Sequence, residues 1–552
     1  MRLTLCNSFV TATAKSVTGS AVALSVLAGA SAASAAEMTV PPPLSHQKAL
    51  YFAKHPAEWA AIMARAPKAR MVTPAPAPSG PPLAGSWSSV ANAAPTDGLS
   101  NPLLLTDGTV IVHQLCSAHW YKLTPDAKGS YITGTWSQIA DAPWQPLYFA
   151  SQILNDGRVV GNGGEYDGAS GCSATWQTGG GIYDPAANTW VSLAPPKGWT
   201  TIGDAQSIML PDKTYMLANC CTTDQAILNE TTLKWRPTGS GKFDVNDEEG
   251  WALLQNGQVL TADAYVFTST CGANSELYAP SAGSWTSAGN APTQLSDCLA
   301  GGNQSFEVGP IAVRPTGTAV AFSGVTTGMA GTAIYDPKTA AWSAGPSLPK
   351  ISGQNYNLAD APAAVLPSGN VLFAASSGLF TAPTHYFEFT TKNTILRRND
   401  AAGSSGNPSY VVNFLMLPSG QVLQTDFSSN VQIYTPTGTF KSSKRPRITS
   451  VPGALTRGNT YTVAGTQLNG VTHAVYGDDQ QAATNFPLVQ LVSQSTGNVY
   501  YAATSQFSTR GIGPNMASTA NFLVPSAVPV GAYNLSVIAN GVPSLATSVT
   551  VN

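Results

Sequence analysis

The sequence predicts an all-β protein built on a seven-bladed kelch-type β-propeller followed by an immunoglobulin-like β-sandwich, on three observations. The motif Tyr-x-Pro-(x)4-Trp occurs three times with the same spacing, beginning at Tyr183, Tyr278 and Tyr335. Six of the tryptophans, at positions 87, 136, 190, 235, 285 and 342, follow one another at intervals of 45 to 57 residues, which is the period of a kelch blade. Seven tight-turn tetrapeptides that follow apolar runs predict one blade each. They begin at Leu105, Leu154, Leu210, Leu254, Arg314, Leu366 and Leu417.

The composition agrees with many short strands and excludes a nucleic-acid partner. Only 10% of the residues are charged, while 51 Gly and 40 Pro supply turns between short apolar runs. Once the predicted leader is removed, 25 basic residues face 29 acidic ones, so the formal charge is -4. We therefore expect no basic surface of the kind that attracts nucleic acid or anionic lipid.

The first 36 residues are typical of a cleaved signal peptide. They carry sparse positive charge, an apolar stretch over Ala21–Leu27 and the cleavage-site sequence Ala-Ser-Ala-Ala at 33–36. The stretch is too short to span a bilayer and no other candidate occurs, so the protein is not expected to be membrane-integral. The sequence thus predicts a secreted or periplasmic protein.

Three regions follow the predicted signal peptide, residues 1–36. Residues 37–83 combine a segment of helical composition with a Pro-rich linker. The predicted propeller spans residues 84–445, and the strand that carries Trp87 is expected to pair with the last blade. Residues 446–552 contain alternating strands without the kelch period, which suits an immunoglobulin-like, early-set β-sandwich.

Six cysteines remain after the leader, and an even number predicts up to three disulfides in an oxidising compartment. Proximity favours a bond between Cys271 and Cys298 and another between Cys116 and Cys172, which leaves Cys220 and Cys221. Cys220 and Cys221 then form a vicinal disulfide that could serve as a rigid floor under a ligand, or each bonds a distant cysteine.

A signal peptide, a seven-bladed kelch propeller and a C-terminal sandwich together resemble the galactose oxidase and glyoxal oxidase family. The run from Tyr476 to Val489 and the later Gly541-Val-Pro-Ser are similar to the last domain of that family. The resemblance covers most of the mature chain. It implies a mononuclear copper held by two tyrosines and two histidines, with one tyrosine crosslinked to a cysteine. It also implies oxidation of alcohols or aldehydes with production of hydrogen peroxide.

The residues of the implied copper site are only partly present. Counting back from each turn glycine gives Tyr148 for the crosslinked tyrosine and Tyr410 for the axial one. Val411 stands where the resemblance implies a histidine ligand, and Leu99 where it implies the cysteine. His473 resembles the last ligand in its local motif, but the register puts it on the wrong side. Copper(II) favours imidazole nitrogens, which valine does not supply, so we expect the copper radical site to be lost and assign no metal ligand.

Carboxylates occupy the equivalent positions of four other blades. The same count gives Asp204, Glu248 and Asp360, with Glu307 one residue further back. Close carboxylates separate one another's pKa values, which leaves one protonated acid and one ionised base. With Tyr148, such a pair could perform glycoside hydrolysis or proton abstraction. Calcium binding through the same oxygens stays open as an alternative, and so does a structural role in capping turns.

The function predicted from these residues is that of an exported, galactose-oxidase-like protein. It binds or acts on a carbohydrate or other hydroxylated substrate at the propeller mouth, as a hydrolase or lyase if it is an enzyme. Two alternatives stay open, namely a copper radical oxidase of alcohols or aldehydes and a non-catalytic adhesin or interaction protein. The predicted catalytic residues are Tyr148, Asp204, Glu248 and Asp360. The predicted substrate-binding residues are Glu307, Tyr410, Trp251, Cys220 and Cys221.

Overall fold

The computed structural model describes residues 37–73, 84–266, 272–297, 305–476 and 479–552. The predicted signal peptide, most of the Pro-rich linker and the predicted pair of Cys271 and Cys298 lie outside the described residues. The described residues contain two short α-helices and many antiparallel sheets, which confirms the all-β prediction.

Residues 38–73, called the N-terminal segment below, hold both helices, α1 (His46–Phe52) and α2 (Pro56–Met63). The hydroxyl of Ser45 caps α1 by accepting a hydrogen bond from the Lys48 backbone N–H. Proline opens α2, where its fixed φ suits the first turn. The segment closes on itself through a backbone hydrogen bond from Val40 to Pro67.

Between residues 86 and 435, the described strands form seven antiparallel sheets, called A to G, each with four strands from this part of the chain, and one smaller three-stranded sheet. Whether they are the seven blades of one ring stays a prediction. Sheet A comprises Leu99–Leu104, Val110–Gln114, Trp120–Thr124 and Thr135–Gln138; sheet B, Ala150–Ile153, Val159–Asn162, Gly180–Asp184 and Thr189–Ser192; sheet C, Ser207–Met209, Tyr215–Ala218, Gln225–Asn229 and Lys234–Thr238; sheet D, Ala252–Leu253, Val259–Ala262, Asn274–Ala279 and Ser284–Asn290. Sheet E comprises Ile311–Val313, Ala319–Phe322, Thr332–Asp336 and Ala341–Ala344; sheet F, Ala363–Val365, Val371–Ser376, Thr384–Phe389 and Ile395–Arg397; sheet G, Ser86–Ser89, Asn413–Met416, Val422–Thr425 and Gln432–Thr435.

The repeated motif of the sequence is a cross-strand aromatic pair. Its tyrosine and tryptophan lie directly opposite each other on the third and fourth strands of sheets B, D and E. Their ring centroids are 5.2 to 5.3 Å apart, a separation at which aromatic side chains stabilise a sheet beyond the area they bury. The period of the motif is therefore the period of the sheets. The pairs are Tyr183–Trp190, Tyr278–Trp285 and Tyr335–Trp342.

Two strands join distant parts of the chain to these sheets. Ser86–Ser89 pairs with Gln432–Thr435, so the strand that carries Trp87 covers the edge of the last sheet, as the sequence predicts. His473–Val475 pairs with Ile311–Val313 of sheet E and also contacts the first strands of sheets D and F. The C-terminal part of the chain therefore reaches the first strands of three sheets.

The C-terminal residues form one further sheet, called H, of nine strands. Its buried and exposed positions alternate along several strands, as in Ala517–Leu523, which is the pattern of a sheet with one buried face. The division into a propeller and a sandwich at about residue 446 stays a proposal. The strands of sheet H are Arg447–Ser450, Ala454–Leu455, Thr460–Thr466, Leu488–Ser493, Val499–Ser505, Ala517–Leu523, Gly531–Ala539, Val542–Pro543 and Thr547–Val551.

Short elements complete the described chain. Pro146–Leu147, Tyr166–Asp167 and Ser173–Ala174 form a small three-stranded sheet. Three turns of 3-10 helix also occur, at Gly168–Ser170, Ser409–Val411 and Ser442–Lys444.

Candidate functional site

Two of the tyrosines that the sequence singles out contact the N-terminal segment. The Tyr148 hydroxyl donates a hydrogen bond to the Pro41 carbonyl (2.8 Å), and the Tyr410 hydroxyl donates to the Val40 carbonyl (3.1 Å). A third tyrosine, Tyr166, donates to the Pro42 carbonyl (2.7 Å). Three buried phenols thus bind three successive carbonyls of one extended stretch.

Lys48 carries the positive charge of the segment into the same site. Its side chain is 1% exposed, and its Nζ lies 2.7 Å from Glu248 Oε1 and also contacts Glu307 Oε1. The ring of Phe380 lies beneath the ammonium, with its centroid 5.3 Å from Nζ. Two predicted carboxylates and an aromatic face therefore hold one buried ammonium group. We call Tyr148, Tyr166, Glu248, Glu307 and Tyr410 the tyrosine–carboxylate site.

Other side chains hold the backbone of the segment near Lys48. The Leu44 N–H donates to Glu165 Oε1, and the Gln47 N–H donates to Asp247 Oδ2 (3.2 Å). The hydroxyls of Ser45 and Tyr265 are 2.6 Å apart. Sequence analysis missed Lys48, Glu165, Tyr166 and Tyr265, because none of them stands at the counted distance from a turn glycine. A lysine four residues after the apolar, Pro-rich stretch 40–44 is the one signal that could have drawn attention to the segment.

Three of the predicted catalytic residues have a strained backbone. Tyr148, Glu248 and Asp360 have φ angles of 49°, 59° and 46°, in the left-handed region that non-glycine residues seldom adopt. Each stands just before the first strand of its sheet, in sheets B, D and F. Such a conformation costs on the order of 1–3 kcal/mol per residue and is enriched at functional sites. The shared strain supports treating these positions as one site.

Burial and neighbouring charges set the protonation of the cluster. Burial raises the pKa of Glu307 well above its usual range, and the nearby Glu248 raises it further. Burial and Glu248 also raise the pKa of Asp247. Burial lowers the pKa of Lys48, but Glu248, Glu307 and Glu165 together outweigh it, so the pKa rises and the ammonium stays charged. The site holds one cation among carboxyl groups, at least one of which favours its neutral form.

The raised pKa of Glu307 predicts a dependence of stability on pH. Above the ordinary glutamate pKa the unfolded chain releases this proton, while the folded protein keeps it until its raised pKa is passed. Stability is therefore expected to fall as pH rises through this window, by up to about 1.4 kcal/mol per pH unit. Glutamine does not titrate, so the stability of the Glu307→Gln variant should lack this part of the dependence on pH. Urea unfolding of both proteins at about pH 5 and about pH 7 checks the prediction, and equal slopes would contradict it.

The remaining predicted residues lie near this cluster. Carboxylate oxygens of Asp204 and Asp247 and the Sγ of Cys220 all lie within 4.8 Å of one another. Cys220 is disulfide-bonded to its neighbour Cys221, so the vicinal pair forms and its sulfur is not a free thiolate for a metal. Burial raises the pKa of Tyr148 well above its usual range, and the nearby Tyr410 and Asp360 raise it further. A shared role of these residues with the tyrosine–carboxylate site stays a prediction.

Trp251 is a correction to the sequence analysis. Its ring is 1% exposed and packs against Trp285, with the ring centroids 5.6 Å apart. Both rings belong to a hydrophobic core formed largely by sheets C, D and E. The indole therefore packs in the core instead of presenting a face to a substrate, because it follows the strained residue Glu248 and enters the first strand of sheet D.

The residues present do not fit the copper centre that the family resemblance implies. Val411 and Leu99 are fully buried aliphatic side chains at the positions of a histidine and a cysteine. Burial raises the pKa of Tyr148 and Tyr410 well above the usual range, whereas a copper-bound tyrosine has lost its proton. His473 pairs with Val313 in sheet E, and burial lowers its pKa to about 4. The tyrosines thus act here as hydrogen-bond donors.

A second carboxylate cluster also surrounds a lysine. Oxygens of Asp244, Asp263 and Glu276 lie within 4.8 Å of one another. Lys242 Nζ lies 2.6 Å from both Asp244 and Glu276 and 3.0 Å from Glu249. An ammonium group therefore compensates this cluster as Lys48 compensates the first one.

Comparison with known proteins gives remote likenesses only. No family model and no curated protein matches the chain. A copper-bound fungal alcohol oxidase of the AA5 family is 15% identical, covers 88% of this chain and 92% of its own, and has a TM-score of 0.41. A catalytically inactive virginiamycin B lyase from Staphylococcus aureus with quinupristin is 8% identical, covers 64% and 100%, and has a TM-score of 0.44. At such values the likeness carries no inference about a substrate or a site.

Among the described residues, no helix is long and apolar enough to cross a membrane.

Proposed function

We propose that this chain is an exported protein of the galactose oxidase type. It binds or acts on a carbohydrate or other hydroxylated substrate at the tyrosine–carboxylate site, without a copper radical. The observation that carries the proposal is the convergence of Tyr148, Tyr410, Glu248 and Glu307 on one buried stretch of the N-terminal segment. Export is supported by the leader-like first residues and by the Cys116–Cys172 disulfide.

The hydrogen-bonding groups of the site match a hydroxylated ligand. Three phenols donate hydrogen bonds to backbone carbonyls. The carboxylates of Glu248 and Glu307 accept hydrogen bonds from Lys48. A carbohydrate offers hydroxyls that donate and oxygens that accept, so it can satisfy both kinds of group. In the described form the N-terminal segment makes these contacts, so a substrate reaches them only when residues 40–48 have moved out.

The two glutamates supply an acid and a base. Glu307 has a raised pKa and serves as the protonated acid, while Glu248 forms the ion pair with Lys48 and serves as the ionised group. Because both contact the same Nζ atom, their carboxyl groups lie closer than the roughly 6.5–9.5 Å that inverting glycosidases need. The proposal therefore favours a retaining hydrolysis or a proton abstraction, as in a lyase.

A cut in the linker tests the proposed function on the whole protein. A protease site placed within residues 74–83 allows the N-terminal segment to be separated after folding, and the cut protein is screened against a panel of soluble glycans. Binding or turnover is expected after the segment has separated and not before. Glu248→Gln should lower turnover by about 10²–10⁴-fold if the residue is the base.

A matched variant distinguishes the site from the rest of the surface. The Glu230 carboxylate accepts a hydrogen bond from the Asn155 N–H, and the Glu230 carbonyl accepts one from Arg158. This partly buried carboxylate lies outside the site, so Glu230→Gln should leave glycan binding unchanged. If the separated protein binds no glycan, or if Glu248→Gln and Glu230→Gln behave alike, the proposed function is wrong. Near-stoichiometric copper together with peroxide release from alcohols would instead favour the oxidase alternative.

A further inference from the structure

The pocket around Lys48 Nζ is built to hold an ammonium group. The side chains of Glu248 and Glu307 are 0% exposed and both contact Nζ, and the Phe380 ring faces it at 5.3 Å. The carbonyl of Pro43 lies 3.5 Å away on the same segment. Two desolvated carboxylates and an aromatic face form a recognition site for a compact cation.

The pocket accepts more hydrogen bonds than Lys48 makes. Glu248 Oε2 and Glu307 Oε2 are buried, and within the described residues neither has a hydrogen-bond partner. Each carboxylate oxygen can accept up to two hydrogen bonds, so these two atoms have unused capacity. A ligand that carries a hydroxyl beside its amine would satisfy them, which an alkylammonium chain such as that of lysine cannot do.

The tyrosines extend the same site away from the ammonium pocket. Tyr148, Tyr166 and Tyr410 donate to the carbonyls of residues 40–42, of which the last two are prolines without an N–H. The site therefore presents a row of donors beside a pair of acidic acceptors. A ligand that replaces the segment needs acceptor oxygens at one end and a cationic donor at the other.

Charge decides which ligand can take the place of the segment. When Lys48 leaves, the ionised Glu248 stays buried beside Glu307, and a neutral ligand would leave it without a counter-charge. An uncompensated buried charge is strongly unfavourable, so a neutral sugar binds poorly unless the carboxylates take up protons. A ligand with its own primary amine avoids this cost.

We infer, on the basis of the proposed function, that the substrate of the tyrosine–carboxylate site is a hydroxylated primary amine of the amino-sugar class, such as a glycan with free glucosamine units. The amine occupies the place of Lys48 Nζ, and the sugar hydroxyls bind the free oxygens of Glu248 and Glu307. The other oxygens of the sugar accept hydrogen bonds from the tyrosines. Residues 40–48 act as an internal mimic of this ligand.

Chemical rescue of a full-length variant tests the inference. Lys48→Ala removes the ammonium and leaves both carboxylates in place. Glucosamine is expected to raise the Tm of this variant saturably, by about 5 °C at concentrations far above its Kd, and to leave the wild type unchanged. Glucose and N-acetylglucosamine, which lack the free amine, should give no shift.

Two control variants separate the pocket from general effects of charge. Lys242→Ala vacates the other buried ammonium position, among Asp244, Glu249 and Glu276, and should not respond to glucosamine beyond a simple alkylammonium ion such as butylammonium. Lys48→Met fills the space without charge and should not respond at all. If glucose stabilises Lys48→Ala as well as glucosamine does, or if calcium alone does so and glucosamine does not, the inference is wrong.

If Lys48→Ala does not fold, the protein cut in the linker provides a second test. Oligomers of glucosamine and of N-acetylglucosamine are offered to it after the segment has been separated, and at least 10-fold tighter binding of the glucosamine oligomer is expected. Binding of neutral glycans alone would overturn the amino-sugar inference and leave the proposed function standing. Absence of binding to every glycan would overturn both.

Discussion

Lys48→Ala is expected to lower the free energy of unfolding by about 3–5 kcal/mol, the cost of leaving one partner of a buried ion pair uncompensated. Glu248 and Glu307 are fully buried and both contact the ammonium, so its removal leaves two carboxylates in a site of low polarity. The loss should be measured by urea unfolding at neutral pH. A loss of this size would show that the ion pairs of Lys48 are the main interaction that binds the N-terminal segment in this part of the site.

Two matched variants test this explanation. Lys54 is exposed and lies in the same segment, so Lys54→Ala should change the free energy of unfolding by less than about 0.5 kcal/mol. Replacing Lys48 together with both glutamates, as Lys48→Met with Glu248→Gln and Glu307→Gln, should recover much of the lost stability, since no charge stays uncompensated. A loss of under about 1 kcal/mol for Lys48→Ala would mean that the ion pair does not hold the segment.

Removal of the Cys116–Cys172 disulfide, as Cys116→Ser with Cys172→Ser, is expected to cost about 4 kcal/mol. The bond joins residues 56 apart in sequence, and a loop of that length loses much entropy when it is closed in the unfolded chain. The Cys116 N–H also donates to the Pro146 carbonyl, two residues before Tyr148. Thermal and urea unfolding of the double variant and the wild type give the difference.

The vicinal disulfide supplies the control for this effect. Cys220 and Cys221 are neighbours, so their bond closes almost no chain, and the pair of serine substitutions should lower stability much less by loop entropy. Equal losses for the two double variants would show that local packing, and not loop closure, dominates.

The architecture could be predicted because it repeats. Tyr183 and Trp190 are seven residues apart because a two-strand turn places them opposite each other, and the same geometry returns in sheets D and E. A glycine ends the tight turn in six of the seven sheets, and counting back from Gly157 and Gly257 found Tyr148 and Glu248. Regular, repeated local geometry can therefore be predicted well from a single sequence.

The occupant of the site could not be predicted, because its contacts join residues far apart in the chain. Lys48 meets Glu248 and Glu307 across 200 and 259 residues, and no spacing within the sequence encodes such a pair. Trp251 was misplaced for a related reason, since closeness to a turn does not tell which side of the sheet a ring occupies. The helical composition of residues 37–71 gave no sign that the stretch before α1 would be buried.

Exchange of the N-terminal segment is the measurement that tests the central claim most directly. The protein is cut within residues 74–83, incubated with an excess of isotopically heavy synthetic segment 38–73, and followed by native mass spectrometry. We expect the heavy segment to replace the native one, and to do so faster in Glu248→Gln, which weakens the hold on Lys48. If no exchange occurs in either protein under native conditions, the segment is a permanent part of the fold and the tyrosine–carboxylate site does not open to a substrate.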